Sequence, residues 1–202
     1  MRILIIGAGK VGSSVAGNLV SESNDITIVD TNKAKIAEIQ SNYDLQGIVG
    51  DATSPSVLAD AGAVDADMII AVTANDETNL AVTLIAEQLF NVPSRIARVR
   101  NDELREYPAL LSTSGFRATS VIWPEEAITN YIVQLITYPE ALQVIEFSDG
   151  DVVLMSVKIV SSSKMCGRPV SALQTNCRGS RFRSYPFTGR STGWTILTER
   201  LF

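Results

Sequence analysis

The residues that could do chemistry gather in the first thirty positions, MRILIIGAGKVGSSVAGNLVSESNDITIVD. Glycines stand at Gly7, Gly9 and Gly12, a lysine at Lys10, and an aspartate, Asp30, closes the stretch. The glycines follow an apolar run, Ile3 to Ile6, and open a helix near Lys10; a second apolar run, Ile26 to Val29, stops at Asp30. Strand, G-x-G-x-x-G, helix, strand and acid in that order form the fingerprint of a dinucleotide site. Gly7 lets the chain turn sharply out of the strand. Gly9 has no Cβ to hold a diphosphate away from the backbone, and Gly12 lets the helix lie close against the strand. The free N–H groups and positive dipole end of the helix then face the diphosphate. Asp30 is placed to accept hydrogen bonds from both adenosine ribose hydroxyls, and its charge repels a 2′-phosphate, which favours NAD(H) over NADP(H). The alternative is a glycine-rich turn beside a surface aspartate.

Composition narrows the rest. The chain of 202 residues is long enough for one full domain and part of another. A hydrophobic fraction of 46% and a charged fraction of 19% are those of a soluble globular protein. The net charge of −5 gives no support to a nucleic-acid partner. No apolar run reaches bilayer-spanning length and the N-terminus has no signal-peptide pattern, so the sequence reads as cytoplasmic. Cys166 and Cys177 are too few and too far apart for a metal knuckle or a redox pair. There is no histidine, which removes the commonest general base and the commonest metal ligand. No metal site and no Ser/Cys-His nucleophile is expected.

The elements that must position these residues follow in order. TNKAKIAEIQSNY is an amphipathic helix capped by Thr31 or Asn32, with Ala34, Ile36, Ala37 and Ile39 apolar. Leu45 to Val49 is a strand ending in Gly50-Asp51-Ala52. Ser54 caps a helix with Pro55 at its first position, running to Gly62. Asp67 to Val72 is a buried strand, and a long helix beyond Asn75-Asp76-Glu77 runs to about Phe90. Arg95 to Val99 and Ala118 to Ile122 supply the fifth and sixth strands, and Pro124 opens another helix. Six strands alternating with helices predict an α/β, doubly wound parallel sheet in the Rossmann manner, ordered 3-2-1-4-5-6. Its ligand lies beyond the carboxyl ends of the strands, where the order reverses.

That rule selects further residues. Asp51, ending strand three, either reaches the adenine or only satisfies a turn. Thr73 and Ala74, ending strand four, bring their backbone to ribose or diphosphate. Arg98, between apolar neighbours on strand five, either pairs with a phosphate in the cleft or is a solvated edge residue. The polar run Asn75 to Asn79 is expected mainly to cap its helix rather than touch ligand.

The helix from Pro124 to Tyr138 lines up Ala127, Ile128, Tyr131, Ile132, Leu135 and Ile136. Because it follows a complete sheet, this broad stripe favours dimerisation over packing on its own sheet. Beyond Pro139, Ala141 to Phe147 and Val152 to Val160 alternate like two antiparallel strands around Ser148-Asp149-Gly150, and 166–173 reads as a turn into a short helix. The expected divisions are 1–138, a nucleotide-binding domain; 139–173, the start of a small α/β domain; and 174–202, an atypical tail. The tail is rich in Arg, Ser, Thr and Gly, shows no strand alternation, and fits a truncated or out-of-frame end; the alternative is a basic tail for anionic lipid or RNA.

With these residues placed, the chain resembles the nucleotide-binding regulatory subunits of bacterial Trk potassium-uptake systems and the wider family of domains regulating potassium conductance (RCK/KTN). The resemblance rests on MRILIIGAGKVG, NDITIVD, GDAT, DADMIIAVTANDETN, RIARVR and the WPEE-AITNYI helix, and covers residues 1 to about 173. It implies that Gly7, Ala8, Gly9, Lys10 and Val11 hold the diphosphate and Asp30 the ribose, with Asp51, Thr73, Ala74 and Arg98 completing the site. It implies a homo-oligomer, a dimer through the helix at 124–138 or a larger ring, on the cytoplasmic face of a membrane-embedded potassium-translocating subunit. The last thirty residues depart from the family pattern.

Two functions follow, beside a purely structural dimer that would leave the glycine fingerprint and Asp30 idle. The first is a regulatory module in which NAD(H), or ATP or ADP using the same contacts, biases the arrangement of paired domains, without chemistry. The second is an NAD-dependent oxidoreductase, which needs a proton donor or acceptor near the substrate oxygen. The chain offers no histidine for it and no tyrosine followed four residues later by lysine.

Overall fold

Strand β1 (Arg2–Ile6) carries four consecutive buried residues, Ile3 to Ile6. Such a run is stable only with apolar layers on both faces, which is the condition of a central parallel strand. Alternation divides it between two cores. Leu4 and Ile6 join Val29, Leu58, Ile69, Ala71, Val82 and Ala86 on one face. Ile3 and Ile5 join Ala16, Ile26, Ile28, Ile36, Ile39 and Val72 on the other.

The computed structural model describes residues 1–112, 114–139, 141–147, 152–158, 181–187 and 193–199, apart from Ser21 and Ser23. After β1 come α1 (Lys10–Val20), β2 (Asp25–Asp30), α2 (Lys33–Asn42), β3 (Gln46–Val49) and α3 (Pro55–Asp60). Then follow β4 (Met68–Ala71), α4 (Asp76–Phe90), β5 (Ser94–Arg98), α5 (Pro108–Leu111), β6 (Ser120–Ile122) and α6 (Pro124–Thr137). The six strands form one parallel sheet ordered β3-β2-β1-β4-β5-β6, the doubly wound order that the sequence predicts. The first core is covered by α3 and α4 and the second by α1 and α2. A third cluster, Leu80, Ala97, Val99, Leu111 and Ala118, fills the β5–β6 end beneath Phe116 and Trp123.

Local chemistry fixes the element ends. Asn32 caps α2, its Oδ1 accepting from the Ala34 and Lys35 amides at 2.9 and 3.3 Å. Asn75 caps α4 by accepting from Thr78 N at 2.6 Å, and Asn91, left-handed at φ 54°, ends it. Two boundaries and one cap differ from the sequence reading. The helix after Ser54 stops at Asp60 because Gly62 adopts φ +85°; Ser54 makes no side-chain cap bond, its hydroxyl lying 3.1 Å from that of Ser56. The sixth strand begins at Ser120 rather than Ala118, since Ala118 is drawn into a turn through its N–H to Leu111 O.

The chain divides into two compact units, Met1–Ala127 and Ile128–Phe202. In the second, β7 (Ala141–Phe147), β8 (Val152–Lys158), β9 (Arg181–Phe187) and β10 (Gly193–Glu199) form an antiparallel sheet ordered β7-β8-β10-β9. β7 and β8 lie where alternation predicts them. β9 and β10 lie in the tail read as strandless, and they correct that reading. Their signal is hidden because arginine, serine, threonine and Pro186 interrupt the apolar period. The expectations for Ser148-Asp149-Gly150, Cys166, Cys177 and residues 166–173 fall outside the described residues.

One contact sets how α1 meets the sheet. A Cβ at Gly12 would lie 1.8 Å from the Gly7 carbonyl oxygen, a distance no methyl tolerates against backbone. Gly12→Ala should therefore lower the unfolding free energy by about 2 kcal/mol or more, read as a drop in the urea midpoint. An unchanged midpoint would mean that helix and strand do not approach this closely.

Candidate functional site

β1 and its two neighbours leave the sheet in opposite directions, β2 toward α2 and β4 toward α4. The gap between their ends is a cleft of about 660 Å³. Nine residues expected from the sequence line it: Gly7, Gly9, Lys10, Val11, Asp30, Asp51, Thr73, Ala74 and Arg98. Ala8 and Gly12 do not. Ala8 donates its N–H to Asp30 Oδ2 at 2.8 Å, and Gly12 faces the back of the turn at Gly7.

The glycine turn is shaped for an approaching group. Gly7 has φ +104°, and its N–H bonds Val29 O at 2.8 Å, so the turn is sewn to β2. A Cβ added at Gly9 would meet nothing within 4 Å. Gly9 is therefore not needed for packing; the space its missing side chain leaves belongs to the cleft. α1 starts at the next residue, so its first N–H groups, which have no partner within the helix, open there.

Asp30 is held from two sides. Oδ2 accepts from Ala8 N and Oδ1 from Asn32 N, both at 2.8 Å, and Lys35 Nζ lies 4.0 Å from Oδ2. Each carboxylate oxygen keeps further acceptor capacity, and Asp30 lines the cleft. Asp51 spends Oδ1 on a turn, accepting from Thr53 N at 2.9 Å and Thr53 Oγ1 at 2.8 Å. These bonds, the backbone one first, hold its carboxyl below the ordinary value. The structure thus shows the turn role for Asp51 and also places it in the cleft wall.

The far wall is built from the ends of β4 and β5. Arg98 lines the cleft with a buried Nε that has no hydrogen-bond partner among the described residues. A buried donor left open costs free energy, so Arg98 is the cleft residue whose hydrogen bonding the described residues leave incomplete. Just beyond, Arg100 donates to Ala74 O, and the Arg100 and Asn101 amides donate to Asp76 Oδ2 at 2.8 and 2.9 Å. Asp76 is thereby a tie between two loops, in addition to the helix-start role expected of it.

Sequence reasoning missed Thr31, Lys35, Gly50, Asn75 and Thr78 as cleft residues. Lys35 had a signal, being a cation in the first turn of the helix that follows Asp30. An adenosine diphosphate group fits this donor set: a cradle without a Cβ at Gly9, a helix start at Lys10, a carboxylate at Asp30 and an open cation at Arg98. Among the described residues no cluster of His, Cys, Asp and Glu could hold a metal, and no helix is long and apolar enough to cross a membrane.

A family model described as the TrkA-N domain matches residues 3–124. The Trk system potassium uptake protein TrkA of Vibrio alginolyticus is 48% identical over 175 residues, covering 86% of this chain and 38% of that protein. A TrkA homolog from Methanothermobacter thermautotrophicus is 31% identical over 170 residues, covering 84% of this chain and 76% of that protein. The chain thus spans well under half the length of the bacterial relative. Among solved structures, the GsuK channel bound to NAD superposes with a TM-score of 0.64 at 16% identity, covering 98% of this chain and 37% of that one, a likeness of fold.

The Asp51 turn makes a testable statement about pH. Its folded pKa lies below the ordinary 3.8, so its contribution to stability is present above that value and is lost as pH falls through the lower folded value. Asp51→Asn keeps the oxygen that Thr53 bonds but removes the charge. The wild-type advantage in urea midpoint should be constant above about pH 5 and shrink toward zero in more acid solution. A constant difference down to about pH 2 would show that the charge contributes nothing there.

Proposed function

The chain belongs to the TrkA-N domain family, and from that premise we propose that it is a nucleotide-binding regulatory component of a potassium-uptake transporter. The observation that carries the proposal is the cleft itself, where a Cβ-free cradle, a helix start, the Asp30 carboxylate and an arginine with an unpartnered Nε converge. In this reading Gly7, Gly9, Lys10 and Val11 receive the diphosphate at the start of α1, while Ala8 and Gly12 hold the turn in place behind it. Asp30 receives the adenosine ribose, Asp51 and Thr73-Ala74 border the nucleoside, and Arg98 meets an anionic group of the ligand. NAD(H) is the ligand that Asp30 favours, and ATP or ADP can use the same adenosine and diphosphate contacts. Nothing in the cleft favours hydride transfer, for which this chain supplies neither a histidine nor a tyrosine–lysine pair.

The partner in this proposal is a membrane-embedded potassium-translocating subunit, met on its cytoplasmic side by an assembly of several copies. α6 supports the assembly. Ile128, Tyr131, Ile132, Leu135 and Ile136 are 49–74% exposed, a stripe of large apolar side chains that water disfavours. A second copy of the same helix would cover it. Residues 139–173, opening with the β7–β8 pair, then begin a second, smaller ligand-binding-like domain.

Calorimetry with NADH, NAD⁺, NADPH, ATP and ADP tests the site. A charge-assisted hydrogen bond contributes about 1.5–3 kcal/mol, so Asp30→Ala should weaken the best ligand roughly ten- to a hundredfold. Gly9→Ala should unfold like wild type yet bind weakly, because its methyl occupies the cradle. If none of the five ligands binds, the site assignment fails. Light scattering tests the assembly: Ile132→Asp should shift the protein toward smaller species, and an unchanged mass would remove α6 from the interface.

A further inference from the structure

Asn79, one turn into α4, is completely buried, and its amide is fully used. Oδ1 accepts from Thr73 N at 2.9 Å and lies 2.7 Å from Thr73 Oγ1. Nδ2 donates to Thr73 O at 3.3 Å and to Arg98 O at 2.9 Å. The orientation of the amide is forced: a flipped side chain would set NH₂ against an N–H and an oxygen against two carbonyls. One side chain therefore grips the backbone of residues at the ends of two different strands, β4 and β5. Both residues, Thr73 and Arg98, line the cleft.

Packing does not require an amide here. Burying a polar group that is fully paired returns little net stability over an apolar side chain of similar shape, and what it gives is a fixed geometry. The geometry held is that of the far cleft wall. The Thr73 hydroxyl, beside Asn79, also accepts from Asn75 N at 3.2 Å, so the turn carrying Ala74 and Asn75 hangs on the same node.

We infer that Asn79 is a positioning residue for the nucleotide site: it locks the Thr73–Asn75 turn and the Arg98 backbone together so that both meet one ligand in register. The inference rests on the reading of the cleft given above and extends it to a residue that touches no ligand itself. Without the clamp, the entropy of ordering two loop ends is lost at each binding event, and affinity falls although every contacting side chain remains.

The test is titration of the full chain with NADH and with ATP at about pH 8 and about pH 6, comparing wild type, Asn79→Asp and Asn79→Ala. In Asn79→Asp the atom replacing Nδ2 is an oxygen facing two carbonyls. Ionised, it repels both; protonated, it can donate to Arg98 O. Burial and those carbonyls favour the protonated form, so the donor returns as pH falls. The charged groups around this turn, Asp76 and Glu77 on α4, Arg98 at the end of β5, Arg100 beyond it and Lys10 across the cleft, are present in every variant. Folded Asn79→Asp should bind the better probe about tenfold or more weakly at pH 8 and recover severalfold relative to wild type at pH 6, while Asn79→Ala stays weak at both. Wild-type affinity in folded Asn79→Ala, which has no donor at either pH, overturns the inference, and so does Asn79→Asp that is as weak as Asn79→Ala at both. If neither variant folds, amide exchange in wild type decides: NADH or ATP should slow exchange of the Thr73 N–H, and unchanged exchange on binding overturns it. A wild-type chain that binds neither probe overturns the reading of the cleft instead.

Discussion

A hydrogen atom where any other residue would place a carbon decides how this molecule is put together. At Gly12 a Cβ would meet the Gly7 carbonyl at 1.8 Å, so α1 docks on β1 at a separation only glycine permits. Closeness there aims the start of α1 at the carboxyl end of β1. The same turn is tied to β2 through Gly7 N to Val29 O and Ala8 N to Asp30 Oδ2. Three elements, β1, α1 and β2, thus meet at one turn and fix the helix start and the carboxylate relative to each other. Without that approach, Lys10 and Asp30 would still be present in the sequence but not in one cleft wall.

The opposite wall is made by a different kind of interaction. Where α1 is positioned by the absence of a side chain, β4, β5 and α4 are joined at their ends by polar side chains: Asn79 on Thr73 and Arg98, and Asp76 on Arg100 and Asn101. Ladder hydrogen bonds hold β4 beside β5 only as far as Ala71 and Ala97. Past those residues the backbone must be paired by something else, because buried N–H and C=O groups without partners are costly. The side chains of α4 provide the pairing. The cleft therefore has a steric wall and a hydrogen-bonded wall, and the second is the one whose shape responds to a change in bonding.

What could be read in the sequence follows from the same division. The central strands β1 and β4 are buried on both faces, so each appears as a nearly continuous apolar run, and the alternation of strands with helices discloses the sheet order. The glycine fingerprint is a local steric pattern, legible at fixed spacing. Asn79 was not legible, because a polar run at a helix start has a sufficient local explanation in capping, which Asn75 indeed satisfies. Its partners, Thr73 and Arg98, are 6 and 19 residues away, and no periodicity announces such a bond. Thr31 was hidden for a related reason, since capping of α2 already accounts for a threonine there, and Lys35 because an exposed lysine on an amphipathic helix needs no ligand to explain it. The strands at 181–187 and 193–199 lack an apolar alternation for a reader to follow.

Under the proposed function, the contrast between the two walls bears on how one ligand could be told from another. Ligands built on adenosine diphosphate present the same ribose and the same two phosphates, so the glycine turn and Asp30 meet them alike. A ligand that binds two arrangements equally shifts neither, however tightly it is held. Discrimination must then come from the part of the ligand that differs, a nicotinamide riboside or a third phosphate or nothing. In the proposed reading that part lies toward Thr73, Asn75 and Arg98, the wall held by the Asn79 and Asp76 hydrogen bonds. The buried Nε of Arg98 is unsatisfied without a partner there. An additional anionic group offers it one, and a ligand lacking that group leaves the cost standing. In the proposed reading the glycine turn and Asp30 would thus set whether an adenine nucleotide binds, and the wall clamped by Asn79 would set which one is preferred.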